Sequence, residues 1–456
     1  MKRGKRSAQR GGAERSAYRP APRRPVARAA GPDELLSTLE GPLAGLVRAV
    51  LEASDARGLA VYLVGGPVRD WLLGRSLRDA DLVVETPRGA EELAAALASE
   101  RLRATHHDRF GTVALAAEAA SLDLATARRE RYAHPGALPE VEPGSLEEDL
   151  LRRDFAVNAL ALPLSAKARA NHAGIVDPAH GLRDLEGRAL RVLHRRSFHD
   201  DPTRALRAAR LAPRLGFTLT RGSRGALRAA LRDGAFGRVS GDRLRRELVK
   251  LFDEAALSLD PAHALRLLAE WHVLGALEPG LALEPPAVAG LRRLGRTVAS
   301  RPWPGPRWRP WVAGLALWLA PLAPALRRRT LARFSVHGEV AARIAGFPRA
   351  REQWLHALAL ARGRGALDAA LAPIDEERLA ALFAGAEPAL RRRIERWARE
   401  DRGRRSPLGG SDLVGLGFSG PAVGSALARI RAAFLDRRVA DRGEALALAR
   451  ELRRRE

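Results

Sequence analysis

Asp79 and Asp81 stand one residue apart near the end of the stretch VYLVGGPVRDWLLGRSLRDADLVVE, Val61 to Glu85. On a strand, a period of two puts both carboxylates on one face, with Leu82 and Val84 on the other. Carboxylates held side by side repel, and each raises the other's pKa unless a cation sits between them. Mg²⁺ suits such a pair, being a hard ion that uses one or two carboxylates together with substrate phosphates. An Asp-x-Asp also recurs by chance among 53 acidic residues, where it is simply a solvated strand end. The residues before it are more informative. Val61 to Val64 is a β-branched, apolar run that predicts a short buried strand. Gly65 and Gly66 allow a tight turn and let a ligand approach the main chain. Pro67 suits the first turn of a helix carrying Arg69, and Gly74 suits its C-terminal cap.

Further segments carry charged groups at meaningful spacings. Asp123 lies in the predicted strand Ser121 to Ala127, which pairs with Phe110 to Ala117 across a short turn. Arg128 to Asp149 contains Pro135, Gly136, Pro139, Pro143 and Gly144, which predicts a mobile loop without regular structure. Arg152 and Arg153 stand in tandem before an apolar helix and offer positive charge for a triphosphate or ribose. Asp154 and Asn158 can orient them. In Ser197 to Ala208, Pro202 reads as the first helical residue and Asp201 as its N-cap. At spacings of three, Asp201, Arg204 and Arg207 share a helical face.

Gly65 to Asp81 resembles motif A of the class II tRNA nucleotidyltransferases, the family of CCA-adding enzymes and bacterial poly(A) polymerases. The family pattern is Gly-Gly-x-Val-Arg-Asp, a Leu-Leu-Gly, then Asp-x-Asp; Gly65 to Asp70, Leu72 to Gly74, and Asp79 with Asp81 match it. Arg152 to Leu160 resembles motif B, with Ala156 where Thr is common. Asp177 to Leu185, followed by Leu190 to Leu193, resembles motif C and reads as mainly structural. Asp200 to Arg204 resembles motif D, Glu-Asp-x-x-Arg, with Asp200 one methylene shorter than the usual Glu. Ser411 to Leu413 with Gly415, Gly417, Gly420-Pro421 and Gly424 resembles the tail of bacterial members, as a phosphate-holding turn or a plain helix cap. The likeness is dense from about 61 to 250 and patchy at 406–450.

This resemblance implies an α/β head of the polymerase-β-type nucleotidyltransferase fold, followed by an all-α neck, body and tail, mostly α overall. The expected divisions are a disordered basic tail at 1–32, the catalytic head at 33–165, and a base-reading neck at 166–250. A helical body at 251–400 and a tRNA-binding helical tail at 401–456 follow. The implied activity is template-independent addition of A, with C left open, to tRNA 3′ ends from ATP and CTP, releasing pyrophosphate. A poly(A) polymerase of the same architecture is one alternative. A non-catalytic RNA-binding protein on a retired transferase fold is another, and the intact Asp79, Asp81, Asp201 and Arg204 speak against it. Mg²⁺ would be held by Asp79 and Asp81; Asp123 either completes that metal site or merely accepts a hydrogen bond. Gly65, Gly66, Arg69, Arg152 and Arg153 would hold the triphosphate and ribose with Asp154 and Asn158. Asp201 and Arg204 would read the base, with Arg207 and Arg210 assisting. An acceptor beside a donor matches cytosine and adenine, whereas uracil and guanine present the reverse order and leave two groups unsatisfied, at ~1–3 kcal/mol each. The loop between motifs A and B is the family's lever for changing nucleotide, so this chain is expected to add A to tRNA ending in CC.

Composition bounds the rest. At 456 residues the chain holds two or more domains. It has no Cys, which excludes disulfides and Cys-ligated metals and fits a cytoplasmic protein. The net charge is +25, and only four of its 78 basic residues are Lys (Lys2, Lys5, Lys167, Lys250). Arg clamps phosphates and stacks on bases, which suits nucleic acid; GC-rich codon bias also enriches Arg. The first 30 residues lack an apolar signal region. Trp311 to Leu326 is too short for a membrane span and carries Pro321 and Pro324, so a buried helix is expected, with its tryptophans in the core. No protein partner is indicated. Beyond about residue 180 the periodicity is helical, with no strand expected.

Overall fold

The computed structural model describes residues 31–455 apart from 78, 100–101, 108–110, 118–119, 132–139, 258 and 306. The N-terminal tail through residue 30 and Pro135, Gly136 and Pro139 of the expected loop lie outside these residues. The head is a mixed sheet of β1 (Val61–Val64), β2 (Asp81–Val84), β3 (Arg103–His107), β4 (Thr112–Ala117), β5 (Ala120–Thr126) and β8 (Ala161–Pro163). Its strand order is β3-β4-β5-β2-β1-β8. β2 and β5 run parallel, and the other neighbours are antiparallel.

Strand alternation decides which side each residue serves. Val61, Leu63, Leu82, Val84, Leu122 and Leu124 pack into one core with the helices on that face. Those helices include α2 (Gly41–Asp55) and α4 (Gly89–Leu97), which bring Val47, Val50 and Leu93. Tyr62, Val64 and Val83 face the other way and pack with Leu146 and Leu150 of α5 (Leu146–Leu151). Asp81 shares the face of Val83, and Asp123 faces away from Leu122 and Leu124, so both carboxylates lie on the α5 side. This alternation is what brings them near the residues that follow α5.

Several expectations change in the structure. Two helices, α1 (Pro32–Thr38) and α2, lead into β1 where the apolar periodicity of Asp33 to about Arg57 reads as one, because Pro42 disfavours helical backbone at Gly41, whose φ is 63°. Asp79 precedes β2 rather than lying on it. The expected irregular loop contains a hairpin, β6 (Arg128–Arg131) with β7 (Glu140–Pro143), held across the strands by an Arg129–Glu142 ion pair at 2.7 Å. The Pro and Gly residues read as forbidding structure thus also flank a paired ladder. Beyond residue 180, where no strand was expected, Ala189–Leu190 and Thr218–Leu219 form a two-residue parallel pair.

The helical half begins with α6 (Gly181–Glu186), whose first N–H groups, those of Gly181 and Leu182, are accepted by Asp177. A Cβ on Gly181 would lie 2.2 Å from the Ala156 carbonyl, so only Gly allows this helix to dock on the motif B turn. Then come α7 (Arg204–Leu215), α8 (Gly241–Asp253), α9 (Pro261–Glu270), α10 (Pro285–Ser300), α11 (Glu376–Gly385) and α12 (Pro388–Arg396), among other helices. α7 starts two residues later than expected: Thr203 occupies the N-cap position, and Asp201 accepts from the Thr203 N–H at 3.0 Å. The apolar run from Trp311 is split at Pro321 between helices Pro310–Leu319 and Pro324–Arg333, with Trp318 fully buried. Among the described residues no helix is long and apolar enough to cross a membrane. One apolar core runs from Leu35 in the head to Ala384 in the helical half, and a separate one, from Leu408 to Leu452, holds the C-terminal helices.

Candidate active site

The parallel pairing of β2 with β5 sets Asp81 directly opposite Asp123. Burial pushes the Asp81 carboxyl up to about 6; Arg153 opposes this, Asp79 and Asp123 add to it, and Arg69 partly offsets it. Three carboxylates therefore share one field, although Asp79 and Asp123 are exposed. Among the described residues no three Asp, Glu or His side chains converge as a ready-made cation cage. The arrangement fits a divalent ion that takes one or two carboxylates and completes its shell with substrate oxygens.

Gly65 ends β1 with φ of 76°, a left-handed conformation that favours glycine. A Cβ there would also lie 2.5 Å from Arg153 Nη1 and push that guanidinium aside. The guanidinium of Arg153 thus lies against bare backbone and within the field of Asp81. Arg153 and Arg152 are held from behind by Asp149, on the preceding turns of α5, at 2.8 Å and 2.5 Å. Burial alone would raise Asp149, but Arg153 and Arg152 hold its carboxyl below the usual carboxylate range. Arg152 also donates to Glu130 of the hairpin at 2.7 Å.

Arg69, 3% exposed, donates to Asn158 Oδ1, and Asn158 Nδ2 donates to Asp154 at 2.8 Å. Asp154 faces Arg207 at 3.5 Å. Burial would raise the Asp154 carboxyl; Arg207 and Asn158 keep it low. The residues expected to read the base are arranged differently from expectation. Among the described residues no ion pair joins Asp201 to Arg204. Asp201 instead pairs with Arg243 of α8 at 2.7 Å, and Arg204 Nη2 donates to the Arg152 carbonyl at 2.9 Å. Arg204 Nη1 is buried without a hydrogen-bond partner among the described residues. Arg210 turns to Glu247 and Glu254, away from the carboxylates. Asp200 faces His194 and Arg196 at 3.8 Å and 3.9 Å.

Residues 61–191 match the family described as the poly A polymerase head domain. An A-adding tRNA nucleotidyltransferase of Aquifex aeolicus is 39% identical over 242 residues, 47% of this chain and 29% of that protein. A CC-adding tRNA nucleotidyltransferase of Deinococcus radiodurans is 43% identical over 222 residues, 48% of this chain and 56% of that protein. The chain thus spans little more than half the length of the second and less of the first. The Thermotoga maritima CCA-adding enzyme, solved as a complex with tRNA, has a TM-score of 0.68 at 26% identity, covering 94% of this chain and 99% of that one. Residues 61–191 thus carry a poly A polymerase head domain, and the chain is similar in sequence and fold to tRNA nucleotidyltransferases.

In this chain the motif residues are tied to partners outside the motifs. From Arg207 the contacts run to Glu247 at 3.2 Å, from Glu247 to Arg210 at 3.4 Å, and on to Glu254. Glu254 faces Arg214 at 3.8 Å, Arg214 reaches Asp70 at 2.9 Å, and Asp70 returns to Arg69 at 2.9 Å. With Asn158 and Asp154 this closes a ring through α3 (Gly66–Leu72), motif B, α7 and α8. Asp149, Arg214 and Glu254 were assigned no role from sequence. Only Asp149 carried a local signal, sitting three and four positions before the tandem arginines.

Proposed function

We propose that this chain adds nucleotides without a template to tRNA 3′ ends, using ATP to add the terminal A, with CTP use to be decided by assay. The shared face of the head sheet carries this reading: Asp81 and Asp123 in register, with Asp79 and Arg153 in the same field. The RNA 3′-hydroxyl attacks the α-phosphate and pyrophosphate leaves. Asp79 and Asp81, with Asp123 beside them, would hold Mg²⁺, which when bound acidifies the attacking hydroxyl and neutralises charge on the transferring and leaving oxygens. Arg153, lying over Gly65, and Arg69 meet the triphosphate, and Asp149 keeps the tandem arginines extended toward it. The free Nη1 of Arg204 donates to N3 of cytosine or N1 of adenine, while Asp201 accepts from the neighbouring amino group. Uracil and guanine offer an N–H where Arg204 needs an acceptor. Arg207 and Asn158 brace that edge of the site. The head at 33–165, neck at 166–250, body at 251–400 and tail at 401–456 are the working divisions of this reading, in a cytoplasmic setting.

The deciding assay offers tRNA ending at the discriminator base and tRNA ending in CC, each with CTP, ATP or both. ATP used only after CC identifies an A-adding enzyme, and ordered use of both identifies a CCA enzyme. Repeated A addition to any RNA identifies a poly(A) polymerase. No incorporation with any of these sets rejects the proposal in favour of a binding protein on a retired fold.

A further inference from the structure

A cavity of about 410 Å³ lies in the helical half, bounded by the ends of α8 and α10 and by described residues between Arg301 and Trp311. It shares no lining residue with the site built on Asp81, Arg153 and Arg204. Its size suits one small ligand, for which sites of about 300–1,000 Å³ are usual. One wall is aromatic. Trp303 is buried edge-on to Phe383 at 5.1 Å, whereas Trp308 and Trp311, expected in the core, are only half-buried and line the cavity. Arg309, paired with Glu377 at 2.8 Å, places its guanidinium 5.9 Å from the centre of the Trp311 ring. Among the described residues no cation lies over Trp308. The polar groups around this wall are unmatched. Asp253, the last residue of α8, lines the cavity, and among the described residues no hydrogen bond or ion pair engages its carboxylate. Desolvation pushes that carboxyl above its ordinary value, with no cation among the described residues offsetting it. Arg301 and Arg307 also line the cavity, and among the described residues neither meets a carboxylate within ion-pair distance. The cavity thus holds an acceptor without a donor and cations without an anion, beside a half-buried indole.

A ligand that answers all three carries a flat ring, N–H donors and an anionic group. A nucleotide has that combination, and Asp253 narrows the base. An ionised carboxylate offers two acceptors and no donor. Guanine presents two adjacent N–H donors, at N1 and at its 2-amino group, on one edge. Adenine and cytosine set an acceptor beside their amino group, and uracil sets carbonyls on both sides of its N–H, so each turns a lone pair on the carboxylate. We propose that this cavity binds a free guanine nucleotide, at a site separate from that of the nucleotide transferred. The base stacks on Trp308, Asp253 accepts from N1–H and the 2-amino group, and Arg301 and Arg307 take the phosphate. Arg204 and Asp201, in the function proposed above, exclude guanine, so the two sites differ in the base they accept. The assignment does not require the transfer reaction, because binding is read without it.

The test is calorimetric titration of the full chain with GMP, AMP, UMP and inorganic phosphate in metal-free buffer, with thermal melting to confirm that each variant is folded. GMP should bind about 10-fold or more tightly than AMP or UMP. Trp308→Ala and Asp253→Ala should each weaken it about 10-fold or more, while Trp308→Phe keeps most of the affinity. Asp253→Asn replaces an acceptor by a donor, so the preference for GMP over AMP should collapse. Arg204→Ala should leave GMP binding unchanged. Unaltered GMP affinity in folded Trp308→Ala and Asp253→Ala would overturn the proposal, as would no GMP binding at millimolar concentration. Loss of GMP binding in Arg204→Ala, with the cavity variants unaffected, would place the nucleotide in the transfer site instead. Equal affinity for every nucleotide and for inorganic phosphate would identify a plain anion site and reject guanine recognition. Binding of a guanine-containing oligoribonucleotide that Trp308→Ala abolishes, with GMP bound by neither protein, would assign the cavity to an RNA base and reject a free ligand.

Discussion

Asp81 is half-buried beside two other carboxylates, so the fold carries an electrostatic cost there. Asp81→Asn removes that repulsion along with a metal ligand. Nucleotide incorporation should drop ~10³-fold or more, while the Tm in metal-free buffer stays level or rises. Asp79→Asn should share the loss of activity; near-normal turnover in either variant would contradict the metal assignment. Arg204 offers a different readout, because its Nη1 is a buried donor waiting for an acceptor. Arg204→Ala should lose both rate and discrimination of C or A over U and G, on the scale of ~1–3 kcal/mol per unsatisfied group. Misincorporation assays with UTP and GTP check this, and a slow variant with full selectivity would reduce Arg204 to a structural role.

At the scale of elements, α5 works as a bracket, with Asp149 at its buried end splinting both motif B arginines. Removing one partner of a buried ion pair costs about 3–5 kcal/mol, so Asp149→Asn should melt well below the wild type at neutral pH. Its carboxyl is held below the ordinary range in the folded state, so its contribution is present above the unfolded carboxylate pKa and lost as pH falls through the lowered folded value. The gap in Tm between wild type and variant should therefore close in acid, below about pH 4. A gap constant with pH would show that the aspartate charge is not what stabilises the bracket. Asp70 on α3 and Arg214 on α7 join the head to the helix that carries Arg204 in the same way. A double-mutant cycle of Asp70→Asn and Arg214→Met should give a coupling energy of about 1 kcal/mol in denaturant unfolding, since both groups are partly exposed. Additive effects would mean that the ring closes without energetic consequence.

Across the whole molecule, a single apolar core passes from the sheet into the helical half, so head and body are packed together rather than strung on a linker. The +25 charge is spread over this assembly and over an N-terminal segment rich in basic residues. Deleting residues 1–32 removes ten basic groups and one acidic one. The salt dependence of tRNA binding should flatten while kcat on saturating tRNA is spared. An unchanged slope would show that this segment does not touch RNA.

The site's inner residues were legible because their information is local. The Gly65-Gly66 turn, the Asp-x-Asp spacing and the tandem arginines are properties of chain order and backbone period. Helical periodicity likewise announced a helical second half. The hairpin at 128–143 was missed because Pro and Gly mark the ends of a ladder as readily as its absence, and pairing depends on a strand partner that composition does not name. Asp123 could be placed beside Asp81 only once β5 was known to be the parallel neighbour of β2, a fact of sheet order rather than spacing. The partners of the motif residues were decided later still. Arg207 meets Glu247 across 40 positions of sequence, and Arg214 meets Asp70 across 144. The sequence by itself determined which groups were candidates for the chemistry; only the packing of α3, α5, α7 and α8 decided what holds each of them in place, because those contacts exist only between segments that the folded core brings together.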